Sequence, residues 1–123
     1  MRVLLSIKPE YALKIFEGSK RYEFRRVIFR REPVKRVVVY ASAPVGKVIG
    51  EFEIAEILHD DIEYLWTKTE KHAGISRERF LEYFADRDKG YAIQVKNSVM
   101  YEEPVPLATF MVSSPPQSFL YLQ

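Results

Sequence analysis

The sequence of 123 residues contains no cysteine, which excludes disulfides, thiolate nucleophiles and cysteine-ligated zinc sites. Histidine is almost as scarce: His59 and His72 are the only two, and neither has a partner at metal-ligand spacing. Ser42 and Ser98 have no histidine near them in sequence, so no serine–histidine pair is indicated. The sequence therefore predicts neither a metal site nor a cofactor.

Long apolar runs are also missing. No stretch approaches the ~18 consecutive apolar residues that read as a membrane span. The first residues, Met1–Ser6, run straight into a strand-like pattern without the apolar core of a signal peptide. These absences predict a cytoplasmic protein with no membrane partner. An apolar content of 47% beside 29% charged residues is typical of a folded protein, and we expect residues 1–123 to form a single domain.

Charge is distributed unevenly along the chain. The net charge is only +2, but residues 1–50 hold 12 Lys and Arg against 4 Glu, whereas residues 51–123 hold 7 against 13 Asp and Glu. Most cations of the first half lie between Lys20 and Arg36. This separation predicts a basic face for an anionic partner such as RNA or a nucleotide. The alternative is that the two halves fold together and neutralise each other through surface ion pairs.

The start of the chain carries clear local signals. Alternating apolar residues predict a first strand over residues 1–7. Pro9 is tolerated at the first position of a helix, and Gly18 is suited to the left-handed position that ends one. A short helix is therefore predicted over residues 9–17.

The next strand is predicted over residues 21–30. Its apolar positions change from even to odd numbers along the way, which indicates a β-bulge or a sharp bend near Arg25 and Arg26. Two central helices are expected between residues 59 and 88, capped by Asp60 or Asp61 and by Ser76. Further strands are predicted at residues 37–41, 47–58, 91–95 and 105–112.

This order of elements predicts an α+β fold. Strands joined by short turns, with bends at Gly50 and near Arg25, favour a small, closed, mostly antiparallel β-barrel. One short N-terminal helix and two central helices would pack outside it. The tail over residues 113–123 is expected to dock on the barrel through its apolar end.

A polar stretch directly after the first helix carries the strongest functional signal. Lys20, Glu23 and Arg25 lie within six residues of one another. The Lys20 ammonium suits a phosphate or carbonyl oxygen, and the Arg25 fork suits a phosphate. Glu23 can order these cations, accept a hydrogen bond from a base or ribose, or act as a general base. The structural alternative is a solvated row of ion pairs on a strand.

These residues fit the spacing G-x-K-x-x-E-x-R over Gly18–Arg25, which resembles the signature of the ASCH (activating signal cointegrator homology) domain. A Tyr-x-Ser-x-Pro-x-Gly-x-x-Ile-Gly stretch over Tyr40–Gly50 and the Gly-Tyr-Ala-Ile of Gly90–Ile93 extend the resemblance over most of the chain. The chain as a whole is similar to a free-standing ASCH protein. The resemblance implies a PUA-like β-barrel, a cleft between barrel and helices lined by the motif residues, and a role with RNA or nucleotides.

The same resemblance implies two other functions. Some family members are hydrolases, either amidohydrolases on acylated nucleosides or ribonucleases. In that case Lys20 and Glu23 would be catalytic, with Glu51 or Glu53 as a further acid. The amidohydrolase branch has a threonine three residues after the lysine, where this sequence has Glu23. The other function is a protein-interaction module of a transcription complex, which rests on family analogy alone.

The candidate binding residues combine cations with rings and hydroxyl groups, the ingredients of single-stranded RNA binding. Arg30 and Arg31 on one side of Pro33, with Lys35 and Arg36 on the other, are expected to form a rim that contacts phosphates. The full set predicted to bind RNA or a nucleotide is Lys20, Arg21, Glu23, Arg25, Arg26, Arg30, Arg31, Lys35, Arg36, Tyr40 and Ser42.

Overall fold

The structure, a computed structural model, describes residues 1–31 and 33–122, and within them six strands form one sheet flanked by three α-helices. The strands are β1 (Arg2–Ile7), β2 (Tyr22–Arg25), β3 (Arg36–Ala41), β4 (Lys47–Asp61), β5 (Lys89–Val105) and β6 (Phe119–Leu122). The helices are α1 (Pro9–Glu17), α2 (Ile62–Thr69) and α3 (Arg77–Tyr83), and two short 3-10 helices cover Glu70–His72 and Leu107–Phe110. The α+β class is therefore confirmed.

The strand order is β2-β5-β4-β3-β1-β6, and every neighbouring pair is antiparallel except β1 with β3. The predicted closed barrel is not confirmed, because this pairing leaves β2 and β6 as the two edges of the sheet. A side chain links these edges instead. The Arg25 guanidinium, at the end of β2, donates to the main-chain oxygen of Ser118, just before β6, at 2.7 Å.

The first helix lies where its local signals predict it. Pro9 occupies the first turn, and Gly18 ends the helix with a left-handed φ of 97°. The two central helices are also confirmed. Asp61 caps α2 by accepting from the main-chain N–H of Tyr64, and Ser76 caps α3 by accepting from that of Arg79.

The predicted strand over residues 21–30 is too long, and of the two alternatives for its change of phase the structure has a bend, at Arg26 and Val27, and no β-bulge within β2. β2 ends at Arg25, and the chain then leaves the sheet. At and after this bend Val27 is exposed, whereas Phe29 turns inward and packs its ring against Phe119 at 5.8 Å. The long-range contact of Phe29 with Phe119 therefore explains the change of apolar phase after β2.

The last strands also differ from the prediction. β5 runs from Lys89 to Val105 because it stays paired with the similarly long β4, up to the pairing of Val105 with Val48. The strand predicted over residues 105–112 is absent from the described chain, where a 3-10 helix covers Leu107–Phe110. Register shifts on either side of Gly50 bend β4, as expected for that glycine.

Two apolar layers hold the helices to the sheet. One lies between α1 and the sheet. The other joins Phe24 of β2 to Trp66 of α2 and to Phe80 and Phe84 of α3 and its end. The second layer sets the distance between β2 and α3. Within residues 1–31 and 33–122, no helix has both the length and the apolar character needed to cross a membrane.

Candidate functional site

A cavity of about 1090 Å³ lies between β2, the loop before it, α3 and the chain leading into β6. We call it the Lys20 cavity. Its size is at the upper end of the range typical of ligand sites. Six cations and two carboxylates are among the lining residues: Lys8, Lys20, Arg25, Arg26, Arg79, Arg87, Glu23 and Glu82. This excess of positive charge favours an anionic ligand.

Lys20 is buried, with 3% of its surface exposed. Its Nζ donates to the main-chain oxygen of Ala73 at 2.6 Å and lies over the rings of Phe24 and Tyr11, at 4.8 and 5.4 Å from their centroids. Burial lowers the pKa of Lys20 to about 8, although the Glu23 carboxylate opposes this shift. A lysine in this range is still mostly protonated at neutral pH and loses its charge in mild base.

Local structure fixes the position of Lys20 at a corner. The main-chain N–H of Lys20 donates to the oxygen of Lys14 in α1 at 3.1 Å. The next N–H, that of Arg21, donates to the oxygen of His72 at 2.8 Å. The motif is thus attached on one side to the first helix and on the other to the loop between α2 and α3.

Gly74 in that loop lies against the aliphatic stem of Lys20. Its φ is +66°, and a Cβ atom added to it would lie 2.5 Å from Cβ and 2.6 Å from Cγ of Lys20. Neither the backbone nor the space admits a side chain without movement. Gly74 therefore acts as a positioning residue for the Lys20 ammonium.

We expect Gly74→Ala to lower the free energy of unfolding by about 2–3 kcal/mol and to raise the pKa of Lys20. About 1 kcal/mol or more comes from the left-handed backbone, and the rest comes from pushing the lysine stem toward water. Urea denaturation and an NMR titration of the Lys20 side chain measure the two effects.

Gly46→Ala is the matched control for this variant. Gly46 also has a left-handed φ, +61°, but a Cβ there would meet its nearest atom, the Tyr40 hydroxyl, at an ordinary 3.7 Å. It carries the backbone cost without the crowding. If the two alanine variants lose the same stability and leave the Lys20 pKa equal, Gly74 does not position Lys20.

Glu23 and Arg25 form a buried ion pair, with Arg25 Nη1 and Glu23 Oε2 3.0 Å apart. Arg25 also donates to the main-chain oxygens of Ser6 and Ser118, at 3.3 and 2.7 Å, and to the Ser118 hydroxyl at 3.2 Å. Much of its donor capacity is therefore spent inside the protein, where it attaches the chain before β6 to the motif. Within the described chain no hydrogen bond reaches Glu23 Oε1, so this oxygen is open to a ligand donor.

The structure brings six of the eleven predicted binding residues to the Lys20 cavity: Lys20, Glu23, Arg25, Arg26, Tyr40 and Ser42. Arg30 borders a smaller pocket beside it. The other four, Arg21, Arg31, Lys35 and Arg36, line neither. Arg31 lies over the ring of Tyr121 at 5.0 Å, so the predicted rim on both sides of Pro33 is dispersed.

Glu51 and Glu53 lie outside the Lys20 cavity. Arg36 pairs with both carboxylates, at 2.9 and 3.2 Å. A hydrogen bond from Asn97 lowers the pKa of Glu53. Burial raises the pKa of Tyr101, and its hydrogen bond to Glu51 adds to that shift. These contacts make a polar network on β3, β4 and β5 that is separate from Lys20 and Glu23.

Several lining residues escaped the sequence analysis, among them Tyr11, Arg79, Tyr83, Arg87 and Ser118. Arg79 and Tyr83 are four residues apart and therefore share a face of α3. That face adjoins the buried positions of Phe80 and Phe84. The only signal in the sequence is this combination of a cation and a ring, which a solvated helix face shows equally well.

Known proteins are similar to this chain in sequence and in fold. The ASCH domain profile matches residues 5–104. ATP synthase subunit alpha of Ureaplasma parvum serovar 3 is 32% identical over 122 residues, which is 98% of this chain and 15% of that protein. The ASCH domain-containing ribonuclease of Zymomonas mobilis subsp. mobilis is 32% identical over 94 residues, 76% of this chain and 64% of that protein. The chain thus spans less than two thirds of either relative.

The fold comparison agrees. The crystal structure of ASCH from Zymomonas mobilis has a TM-score of 0.91 to this structure at 29% sequence identity. The match covers 99% of this chain and 87% of the other. The likeness therefore extends beyond the matched profile to the segment that carries β6.

Proposed function

This chain belongs to the ASCH domain family, and from that premise we propose that it binds RNA or a nucleotide in the Lys20 cavity. The observation that carries the proposal is a buried ammonium in a cavity of nucleotide size with an excess of cations. A buried lysine is costly unless it meets an anion or moves a proton. A bound phosphate group would supply that anion.

The contacts available to such a ligand are specific. Lys20 Nζ has three donors and spends one on Ala73, which leaves two for phosphate oxygens. Glu23 Oε1 can accept from a base amino group or a ribose hydroxyl. Tyr11, Tyr40 and Tyr83 also line the cavity and offer rings or hydroxyls to a base.

The Zymomonas mobilis relative supports RNA over other anions, because that protein is named a ribonuclease. The uneven charge of the sequence agrees with a polyanion as partner. We place this activity in a single domain in the cytoplasm, in RNA metabolism.

Charge reversal separates the cavity from the cation cluster seen in the sequence. We expect Arg79→Glu to lower the affinity for single-stranded RNA at least tenfold at low salt and to reduce the salt slope by about one. Arg79 is exposed and lines the cavity, so its reversal places a carboxylate where the strand enters. Fluorescence anisotropy with a labelled ten-nucleotide RNA over a salt series measures both quantities.

Lys35→Glu is the matched comparison, because Lys35 is equally exposed but lines no cavity. It should change the affinity less than threefold. An equal loss of RNA affinity in both variants would indicate that the binding face includes the loop around Pro33. No measurable RNA or nucleotide affinity in the unmodified protein would refute the proposal.

A second candidate function, ribonuclease activity, is favoured by the pKa of Lys20, about 8. In this reaction the Glu23 carboxylate takes the proton from a ribose 2′-hydroxyl, whose oxygen attacks the adjacent phosphorus. As the P–O5′ bond breaks, the Lys20 ammonium donates its proton to the departing 5′-oxygen, which leaves a 2′,3′-cyclic phosphate, a 5′-hydroxyl and a neutral Lys20 amine. The amidohydrolase alternative is weaker, because the position of its threonine holds Glu23, which is paired with Arg25.

End-labelled RNA incubated with and without Mg²⁺ and resolved on a gel tests this candidate. Cleavage by the unmodified protein that is lost in Glu23→Gln supports it. If the RNA stays intact with and without Mg²⁺ while binding is retained, ribonuclease activity is rejected and the RNA-binding proposal stands.

A further inference from the structure

A second pocket of about 550 Å³, here called the outer pocket, adjoins the Lys20 cavity. Arg26, Val27 and Arg87 line both spaces. These three residues therefore form the boundary that the two spaces share.

Strand register explains why the two spaces share a wall. Arg25 of β2 lies directly opposite Tyr91 of β5, and Tyr91 lies directly opposite His59 of β4. Side chains of directly opposed residues share a face of the sheet. The row thus leads from Arg25, in the Lys20 cavity, to Tyr91 and His59, in the outer pocket.

The two rings at the end of this row stack face to face, and we call this pair the platform. The imidazole of His59 and the phenol of Tyr91 are stacked with centroids 4.1 Å apart and an interplanar angle of 8°. His59 remains exposed despite this contact. The face of the His59 ring that Tyr91 does not cover is therefore a surface on which a nucleobase can stack.

Cations surround the platform. Arg26, Arg30, Arg87 and Lys89 line the outer pocket against Asp86 and Asp88. All four cations are exposed, and among the residues that the structure describes none of them forms an ion pair. Their charge is thus available to a phosphate that links one nucleotide to the next.

We propose that the outer pocket holds the neighbouring nucleotide of a single-stranded RNA whose first nucleotide occupies the Lys20 cavity. The base of that neighbour stacks on the platform of His59 and Tyr91. The connecting phosphate lies beside Arg26 and Arg87, which border both spaces. This inference rests on the proposed function and adds a second subsite to it.

The test compares a ligand that reaches one subsite with a ligand that reaches both. Adenosine 5′-monophosphate is titrated by calorimetry. A fluorescein-labelled ten-nucleotide RNA, checked for integrity on a gel, is titrated by anisotropy. The unmodified protein should bind the RNA at least tenfold more tightly than the mononucleotide.

His59→Ala should weaken RNA binding about tenfold and leave mononucleotide binding unchanged, because only the stacking surface is removed. Arg30→Gln should lower RNA affinity severalfold and reduce the salt slope by about 0.7, again without effect on the mononucleotide. The main-chain N–H of Arg30, which donates to the Tyr121 hydroxyl, is retained in this variant. His72→Ala is the matched control, since His72 is exposed and lines neither space.

The outcomes separate the two proposals. RNA affinity that is unchanged in His59→Ala, or equal affinities for RNA and mononucleotide in the unmodified protein, overturns the outer subsite while the Lys20 cavity stands. A loss in His72→Ala as large as that in His59→Ala also overturns it. A protein that binds neither ligand removes the proposed function and the outer subsite together.

Discussion

Lys20→Met is expected to lower the affinity for single-stranded RNA about 100-fold and to abolish the pH dependence of binding near pH 8. The Lys20 ammonium is the buried charge of the cavity, and a charge-assisted hydrogen bond contributes about 1.5–3 kcal/mol. Methionine keeps an unbranched stem of similar length, so the wall that packs on Gly74 is preserved. Anisotropy between pH 6.5 and 9.5 measures the effect.

In the unmodified protein, binding should weaken as pH rises through about 8, because the ammonium loses its proton there. Lys47→Met is the control: Lys47 is exposed, lines neither space, and should leave affinity and pH profile intact. A Lys20→Met protein that binds RNA with unchanged affinity would exclude Lys20 from the site.

The same substitution changes the dependence of stability on pH. The pKa of Lys20 falls from 10.5 in the unfolded chain to about 8 in the folded protein. Between these two values the unfolded chain binds more protons, so the free energy of unfolding of the unmodified protein rises with pH. The total gain from this group is roughly 3 kcal/mol, at 1.36 kcal/mol for each pKa unit. Below pH 8 the buried Lys20 ammonium lowers the free energy of unfolding by this full amount.

Urea denaturation of both proteins at pH 7, 8.5 and 10 reveals this contribution as a difference. The unmodified protein should gain stability relative to Lys20→Met across the series, while the lost hydrogen bond to Ala73 adds an offset that does not vary with pH. Parallel stability curves would contradict the lowered pKa.

Phe80→Ala is expected to lower the free energy of unfolding by about 3–5 kcal/mol, a large share of the 5–15 kcal/mol typical of a domain. Phe80 is fully buried, and its ring lies 5.0 Å from those of Phe24 and Phe84 and 4.9 Å from that of Trp66. Its loss removes the contact that joins both central helices to the motif strand.

The urea midpoint measures this loss, and the m-value should stay constant if only the native packing has changed. Leu81→Ala, at the neighbouring and 37% exposed position, should cost below about 1 kcal/mol. RNA affinity of Phe80→Ala should also fall, because α3 carries Arg79 to the cavity. If Phe80→Ala lowers the free energy of unfolding by less than about 1.5 kcal/mol, the neighbouring apolar side chains repack into the space that the ring occupied.

Local signals predicted the fold where one short segment decides its own structure. Pro9 and Gly18 mark the ends of α1, and Ser76 marks the start of α3, because each acts through its own backbone. The end of β2 was missed because Phe29 obtains its partner, Phe119, from a strand 90 residues later. Such partners leave no trace in a window of a few residues.

In the candidate site, too, local spacing was informative and long-range contacts were not. The spacing of Lys20, Glu23 and Arg25 predicted a common corner, and all three line one cavity. Their binding role stays a prediction. The cation of α3, Arg79, was missed because a charged helix face has the same pattern beside a cavity as in water. Arg36 pairs with carboxylates on the next strand, a contact that sequence proximity alone does not reveal.

The bonds that Arg25 and Ser6 make to the chain before β6 have a consequence for the order of folding. The Ser6 hydroxyl donates to the main-chain oxygen of Pro116 at 2.6 Å, across 110 positions of sequence. Closing a loop of that length carries an entropic cost that is recovered only when most other contacts exist. One wall of the Lys20 cavity is therefore among the last parts to assemble, both in refolding and during synthesis on the ribosome. A ligand that occupies the Lys20 cavity would therefore select the fully folded chain.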